Sequence, residues 1–366
     1  MDFINHIGEW INIKPFSTLQ TSDVLPKIYN VHPQLTNPNA SDAAKRLMCF
    51  LTDVYGRYII SGQQCNAGAC GTEIRTIEEL TGKKPAILEL DLIDFSCSNK
   101  EHGSESKVID HAIEWYHKYG GIVTFCWHWN APSEYLINST EHPWFKGFYK
   151  SAVTIDLDDI MEGRDNEGYS LLMRDIDTIA RQFKILSAAD VPVLWRPLHE
   201  ASGGWFWWGN CKVNSYKKLW NIIYDKLTNQ HKLNNLIWVW NGQNIDWYPG
   251  DNTVDIIGED IYPGEKIYSL QTEKFTEALN YTKSRKIISM TENGCLFDPD
   301  LAVSQNTLWS WFCTWDCEFV INKLNKLSEQ YTEKYMWNKV YNHKNVLTLD
   351  RLPDIKNYSG TCAAST

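Results

Sequence analysis

Eight short runs of apolar residues, rich in β-branched and aromatic side chains, recur along the chain, and longer amphipathic stretches separate most of them. The runs are Tyr58–Gln63, Ala86–Asp91, Ile122–Trp129, Val191–Leu198, Leu236–Asn241, Val254–Asp260, Ile287–Glu292 and Leu308–Phe312. Runs of this length and composition read as buried strands. Helical patterning lies between them, over Lys107–Tyr119, Leu171–Ala188, Tyr216–Gln230 and Thr272–Thr282. Strands alternating with helices give a parallel sheet, and eight such units close an α/β (β/α)8 TIM barrel. The fifth-to-sixth connection has little helical pattern and is the weakest unit of the reading. A barrel takes roughly 250 residues, so 366 residues accommodate a single domain with decorated loops. Residues 1–40, broken by Pro15, Pro26, Pro33 and Pro38, are expected to strap across it. The barrel strands are expected over about 55–320, and a C-terminal helix and tail over 320–366. Ser41-Asp42 looks like a helix N-cap.

Composition narrows the partners. A net charge of −10 argues against nucleic acid, whose phosphates need a basic footprint. No apolar run approaches the ~18 residues of a membrane span, so no membrane partner is expected. A neutral substrate suits the charge. The chain carries 17 tryptophans, 18 tyrosines and 13 phenylalanines. Most must be core, because aromatic rings bury large areas; those gathered at strand ends offer flat faces for stacking on pyranose rings.

Polar and aromatic residues collect where the predicted strands end: Gln63-Gln64, Asp91, His128, Glu200, Asn241, Asp260 to Tyr262, Glu292 and Trp315. Chemistry in such barrels sits at that face. The fourth strand delivers Glu200 to its tip, followed by Ala201-Ser202-Gly203-Gly204-Trp205-Phe206-Trp207-Trp208-Gly209. A carboxylic acid held against apolar rings has its ionised form disfavoured and can donate a proton near neutral pH. The plainer alternative is a surface-loop glutamate beside packed tryptophans. Glu292 ends the seventh strand. Two carboxylates from distant strands of one barrel can meet across the roughly 5–5.5 Å gap of a retaining glycosidase.

At this point the chain resembles a known family. Arg196-Pro197-Leu198-His199-Glu200 with Gly204 to Gly209, Gly121 to Asn130, Asp255 to Tyr262 and Thr291-Glu292-Asn293-Gly294 are similar to motifs of glycoside hydrolase family 26, mostly endo-β-1,4-mannanases. The likeness spans roughly residues 40 to 355. It implies a retaining endo-hydrolase of mannan, glucomannan or galactomannan, with Glu200 as acid/base, Glu292 as nucleophile and no cofactor or metal. It implies that His199 hydrogen-bonds the nucleophile and that Tyr262 sits beside it. His128, Trp205, Asp260 and Phe297 match positions lining the subsite of the cleaved sugar, and Trp315 matches a distal stacking tryptophan. The family often has arginine after that tryptophan; here it is Asp316. Ser202 likewise replaces a family asparagine. β-mannan and mannooligosaccharides are the implied partners, and a monomer is expected. Rival activities are a β-1,3-xylanase or mixed-linkage β-glucanase of the same family, or a non-catalytic carbohydrate-binding barrel.

Read from the residues alone, Trp205 can form a floor for a sugar ring. Asp260 and His128 could bond sugar hydroxyls, with a structural ion pair as the alternative. Trp207 and Trp208 could equally be barrel-top core, and a buried salt bridge is the better reading for Glu89 and Asp91. His199-Glu200 is not followed by the second histidine of a zincin, and Glu114-x-x-His117 reads as a solvated helix face. No Gly-x-Ser-x-Gly elbow or phosphate-binding glycine loop occurs. Ten cysteines and sequons at Asn39, Asn138, Asn280 and Asn357 suggest a secreted protein whose signal peptide has been removed. Cys65 with Cys70, and Cys313 with Cys317 (Cys211 nearby), are candidate disulfides, although pairing does not follow from sequence.

Overall fold

A computed structural model describes residues 25–360 of the chain. Eight parallel strands close on themselves in sequence order: β1 (Gly62–Gln64), β2 (Ile87–Asp91), β3 (Ile122–Cys126), β4 (Val193–Arg196), β5 (Leu236–Trp240), β6 (Ile256–Ile261), β7 (Ile287–Asn293) and β8 (Phe312–Thr314). This is the (β/α)8 barrel expected. Both faces of the strands are covered, which is why the runs are almost continuously apolar rather than alternating. The ladder is regular through β2, β3 and β4, with Ile87 opposite Ile122 and Val123 opposite Val193. It is thinnest at closure, where Gln63 opposite Thr314 is the one registered pair between β1 and β8.

The two ends of the barrel depart from the hydrophobic pattern. The first run divides: Ile59–Ile60 pairs in parallel with Val346–Leu347, Ile60 also bridges Trp311, and the regular barrel ladder begins at Gly62. A Cβ on Gly62 would stand 2.6 Å from the Phe312 carbonyl oxygen, so only glycine permits this close approach. The eighth run was placed at Leu308–Phe312, whereas the regular ladder is Phe312–Thr314. Leu308, Trp309 and Trp311 are buried, with the Trp309 indole donating to the Leu270 carbonyl at 2.9 Å. For Leu308 and Trp309 apolarity reports burial, whereas Trp311 does pair in the sheet, bridging Ile60 in parallel while its carbonyl accepts from the Met290 amide of β7 at 3.0 Å.

Helices fill the connections, among them α1 (Asp42–Val54), α2 (Thr72–Thr81), α3 (Val108–His117), α4 (Asn166–Ala188), α5 (Val213–Tyr224) and α6 (Thr272–Leu279). Ser41 caps α1 by accepting from the Ala44 amide at 3.2 Å. Helix α4 begins earlier than its apolar pattern because Asp165 caps it through the Gly168 amide at 2.8 Å. Between β5 and β6 only the short 3-10 turns Ile245–Trp247 and Asp251–Thr253 occur, in keeping with the weak helical pattern there. Of the N-terminal strap, residues 1–24 lie outside the described residues. Residues 25–40 run under the N-terminal ends of the strands: Tyr29 accepts from Leu308, Thr36 donates to Asp255, and Ser41 donates to the Asn234 carbonyl.

The cysteines correct the expected bridges. Cys65, Cys70, Cys211, Cys313 and Cys317 are free thiols, while Cys49 is disulfide-bonded. Cys65 points at the Glu73 carboxylate, 3.3 Å away, and Cys313 is buried in the barrel wall beside Glu89 while Cys317 is exposed. Twelve of the tryptophans are fully buried. The aromatic surplus is therefore mainly structural, and the rings left for a ligand are few.

Candidate active site

A cleft of about 730 Å³ opens over the C-terminal ends of the strands, with Glu200, Glu292, His128, His199, Trp205, Tyr262 and Trp315 in its lining. The backbone that presents Glu200 is unusual. Strand β4 ends at Arg196, and Pro197 has no amide proton to continue the ladder. Leu198 and Glu200 then take positive φ values of 52° and 54°. Left-handed backbone at non-glycine residues costs on the order of 1–3 kcal/mol each and persists where surrounding contacts enforce it. Here the Glu200 amide is held by the Asn241 carbonyl at 2.8 Å. The strained turn aims a carboxylate into the cleft.

One oxygen each of Glu200, Asp260 and Glu292 lie within 4.8 Å of one another. That spacing fits the short carboxyl separation of retaining glycosidases rather than the roughly 6.5–9.5 Å of inverting ones. The environments of the two cleft acids differ. Burial pushes Glu200 up to about 7, reinforced by the nearby Asp260 charge and opposed by the Trp205 indole, which donates to Oε2 at 2.8 Å. At neutral pH it is poised between acid and base. Glu292 is more deeply buried. It accepts from the Tyr262 hydroxyl at 2.6 Å and from an Arg196 guanidinium nitrogen.

Arg196 organises the floor. Fully buried, it also bonds Glu89 at 2.6 Å and Asp260 at 2.8 Å. Three carboxylates around one guanidinium cannot all stay ionised at low cost. Burial raises both Glu89 and Glu292, with Arg196 opposing the rise at each. The hydrogen bonds divide them: Glu292 accepts from Tyr262 on one oxygen and Arg196 on the other, whereas Glu89 accepts from Arg196 and has beside it, among the described residues, only the weak thiol donor of Cys313. The stronger donors, a guanidinium and a phenol, thus sit on Glu292 and offset part of the cost of its burial. Clusters of acids and cysteine here could in principle ligate a cation. The Arg196 guanidinium already sits among Glu89, Asp260 and Glu292 as their counter-charge.

Several expected contacts are corrected. His199 was expected to bond the nucleophile; instead its Nε2 lies 3.3 Å from Nε2 of His128, and its Nδ1 has no partner among the described residues. Burial works against the charged form of His128, but Asp91, 2.6 Å from Nδ1, outweighs it and the net shift is upward. Burial, with His128 and Arg196 beside it, lowers His199. A protonated His128 donating to a neutral His199 satisfies this pair. Arg196 and Tyr262 hold Glu292 in its place. Asp260 was a candidate for sugar hydroxyls, yet its side chain is 0% exposed and is consumed by Arg196 and Thr291; the ion-pair alternative holds. Phe297 is buried edge-on against Phe312 and is not part of the cleft lining.

The tryptophans after Glu200 divide by role. Trp207 and Trp208 are core, their indoles donating to the carbonyls of Trp129 and His199. Trp205 is 42% exposed and forms the cleft wall. Its ring lies on Gly203, where an added Cβ would come within 2.0–2.4 Å of it. Sequence reasoning passed over Phe148, Tyr149, Phe206 and Phe319, which also line the cleft. The first two come from the long β3–α4 connection, where no periodic signal marks them. Arg196 did carry a signal: a cation inside a buried strand needs buried partners.

The chain matches the family model described as glycosyl hydrolase family 26 over residues 36–350. It is 40% identical to a mannan endo-1,4-beta-mannosidase of Thermothelomyces thermophilus over 92% of this chain and 66% of that protein. It is 37% identical to mannan endo-1,4-beta-mannosidase B of a Piromyces species over 90% of this chain and 55% of that one. The chain thus spans less than two thirds of the length of these relatives. Among solved structures, it superposes on a Podospora anserina GH26-CBM35 beta-(1,4)-mannanase with a TM-score of 0.83, at 41% identity, covering 92% of this chain and 72% of that one. A beta-mannanase from a symbiotic protist of the termite Reticulitermes speratus, complexed with gluco-manno-oligosaccharide, gives a TM-score of 0.77 at 32% identity, with coverage of 89% and 99%.

Proposed function

The chain belongs to glycosyl hydrolase family 26, and from that premise we propose that it is a retaining endo-β-1,4-mannanase acting on mannan, glucomannan or galactomannan. The observation that carries the reading is the pair of cleft carboxylates, Glu200 and Glu292, with oxygens within 4.8 Å and different donors, the Trp205 indole on Glu200 and Tyr262 with Arg196 on Glu292. Glu200, protonated, donates to the glycosidic oxygen as that bond breaks. Glu292, held ionised by Arg196 and Tyr262, attacks the anomeric carbon and forms a glycosyl-enzyme. Glu200 then takes a proton from water, whose oxygen displaces Glu292. Trp205 gives the sugar a stacking face and keeps the acid oriented through its indole donor. His128, fixed by Asp91, offers a positive edge to the cleft. The names of the relatives support mannan as the substrate class. We place the enzyme outside the cell, in keeping with sequon asparagines 39, 138, 280 and 357, all of which are exposed.

Reducing-sugar release from mannan, galactomannan, β-1,3-xylan and lichenan tests the substrate, and NMR of the first-formed anomer tests the stereochemistry. Mannan is expected to be cleaved with β-product first, and Glu292→Ala to abolish turnover while still binding mannooligosaccharides. Activity confined to xylan or lichenan, α-product, or an active Glu292→Ala variant overturns the proposal.

A further inference from the structure

Tyr262 donates to Glu292 from an open position. It follows directly on β6, lines the cleft and is 42% exposed. A side chain so placed keeps its hydroxyl on the carboxylate only while its rotamer is locked by packing. The ring packed on it is Phe319, from the turn Cys317–Phe319 after β8, with centroids 5.3 Å apart and planes inclined at 54°. No other aromatic ring among the described residues packs on Tyr262. Gly294 makes the packing possible. It lies two residues past Glu292, and its amide donates to the Ile261 carbonyl at 3.2 Å, which sets it beside the backbone that carries Tyr262. A Cβ on Gly294 would stand 2.7 Å from Cε1 of Phe319 and 2.8 Å from Cδ1 of Tyr262. Both rings therefore rest on one α-carbon in the loop of Glu292. Phe319 is backed in turn by Tyr331, their centroids 4.4 Å apart. The segment carrying these two rings is closed on itself by the Ser328 amide, which donates to the Val320 carbonyl at 2.8 Å. It is fastened to the chain after β6 by the Lys266 amide, which donates to the Tyr331 carbonyl at 2.8 Å.

We propose that Phe319 is a positioning residue: packed with Tyr262 over Gly294, it holds the Tyr262 hydroxyl on Glu292 and so keeps that carboxylate at its attacking geometry. The inference rests on the retaining-glycosidase reading and deepens it. Arg196 donates to one oxygen of Glu292 and Tyr262 to the other. Two donors on two oxygens fix the plane of a carboxylate, whereas one lets it turn. Without the Phe319 ring, Tyr262 can swing into the cleft, where water competes for its hydroxyl. Glu292 then pivots on Arg196, and a small misplacement of a reacting oxygen is expensive in rate.

A double-mutant cycle separates holding Tyr262 from touching sugar, since Phe319 also lines the cleft. Steady-state kinetics are measured on an oligosaccharide of the polysaccharide that the wild type cleaves, mannopentaose on the mannanase reading. The proteins are wild type, Phe319→Ala, Tyr262→Phe and Phe319→Ala/Tyr262→Phe, each with a thermal melt. Phe319→Ala is expected to lower kcat about fivefold with KM within about twofold, the size of one lost aromatic pair. In the Tyr262→Phe background the same substitution should change kcat by less than about twofold, because the hydroxyl through which it acts is already gone. Phe319→Leu, which keeps most of the bulk, should recover part of the loss, and it reads the same cycle if Phe319→Ala melts low. A loss that recurs undiminished in the Tyr262→Phe background, a loss carried by KM, or wild-type kinetics in Phe319→Ala overturns the role of Phe319 alone. A wild type that cleaves none of mannan, galactomannan, β-1,3-xylan and lichenan overturns the glycosidase reading and this role with it.

Discussion

Replacing Glu200 by glutamine is expected to destroy activity and at the same time make the folded protein more stable, by an amount that depends on pH. In the folded state burial lifts this carboxyl from 4.5 to about 7. Below pH 4.5 the group is protonated in both folded and unfolded chains and costs nothing. As pH rises, the unfolded chain releases its proton first, and the folded state must hold a proton or bury a charge. The stability associated with the protonated form is therefore fully present below about 4.5 and lost as pH passes through about 7. The rise corresponds to about 3 kcal/mol at roughly 1.36 kcal/mol per pH unit. Glutamine carries no charge at any pH and still offers an oxygen to the Trp205 indole, so it escapes this loss. With an unfolding entropy of roughly 2.1 cal/mol/K per residue, about 3 kcal/mol in a chain of this length is a melting difference of about 4 °C. Calorimetry of both proteins at pH 4, 6 and 8 reads it directly. The variant should melt level with wild type at pH 4 and about 4 °C above it at pH 8. A difference that is flat with pH, or reversed at pH 8, would refute the assignment of an elevated, burial-driven acid at this position.

Three further outcomes follow from the same geometry. Arg196→Met strands the carboxylates of Glu89, Asp260 and Glu292 and is expected to cost about 3–5 kcal/mol in a denaturant titration; adding Glu89→Gln should recover part of it, and a wild-type midpoint in the single variant refutes the pairing. Tyr262→Phe removes a donor from Glu292 and should lower kcat/KM on mannooligosaccharides about 10- to 100-fold with an unchanged melt, since a hydrogen bond to a charged group contributes roughly 1.5–3 kcal/mol. Gly203→Ala puts a methyl group into the space of the Trp205 ring, so the ring must shift; a roughly tenfold fall in kcat/KM, about 1.4 kcal/mol of lost transition-state binding, is expected with a changed tryptophan fluorescence spectrum, and wild-type values for both contradict the contact.

The eightfold alternation was legible because a doubly covered parallel strand must be apolar along its whole length. The same rule started β8 too early, since Leu308 and Trp309 are apolar because they are buried, Trp309 against Phe275 of α6, while pairing begins around Trp311. Glu200 and Glu292 stood out as acids at strand tips. What local patterning could not give is which polar group touches which. Arg196, His199 and Asp260 all carry polar side chains at the barrel mouth, and only the assembled ring shows that the arginine, not the histidine, reaches Glu292. Nor does any local rule place Phe148 and Tyr149 opposite Phe206, because the loop that carries the first two folds over the cleft through long-range contacts.

The parallel pairing of Ile59–Ile60 with Val346–Leu347 carries a consequence for the cleft. The joint between the last strand and the first has a single registered pair plus the Ile60–Trp311 bridge, and the residues just before it also lean on a segment from far down the chain: Ser61 Oγ donates to the Leu347 carbonyl at 2.9 Å. That distant segment works as a hoop around a cask whose final stave is barely pegged. Trim the polypeptide ahead of residue 346, and the first place to gape should be the stave that carries Trp315, so sugar affinity would slacken before the protein as a whole came apart.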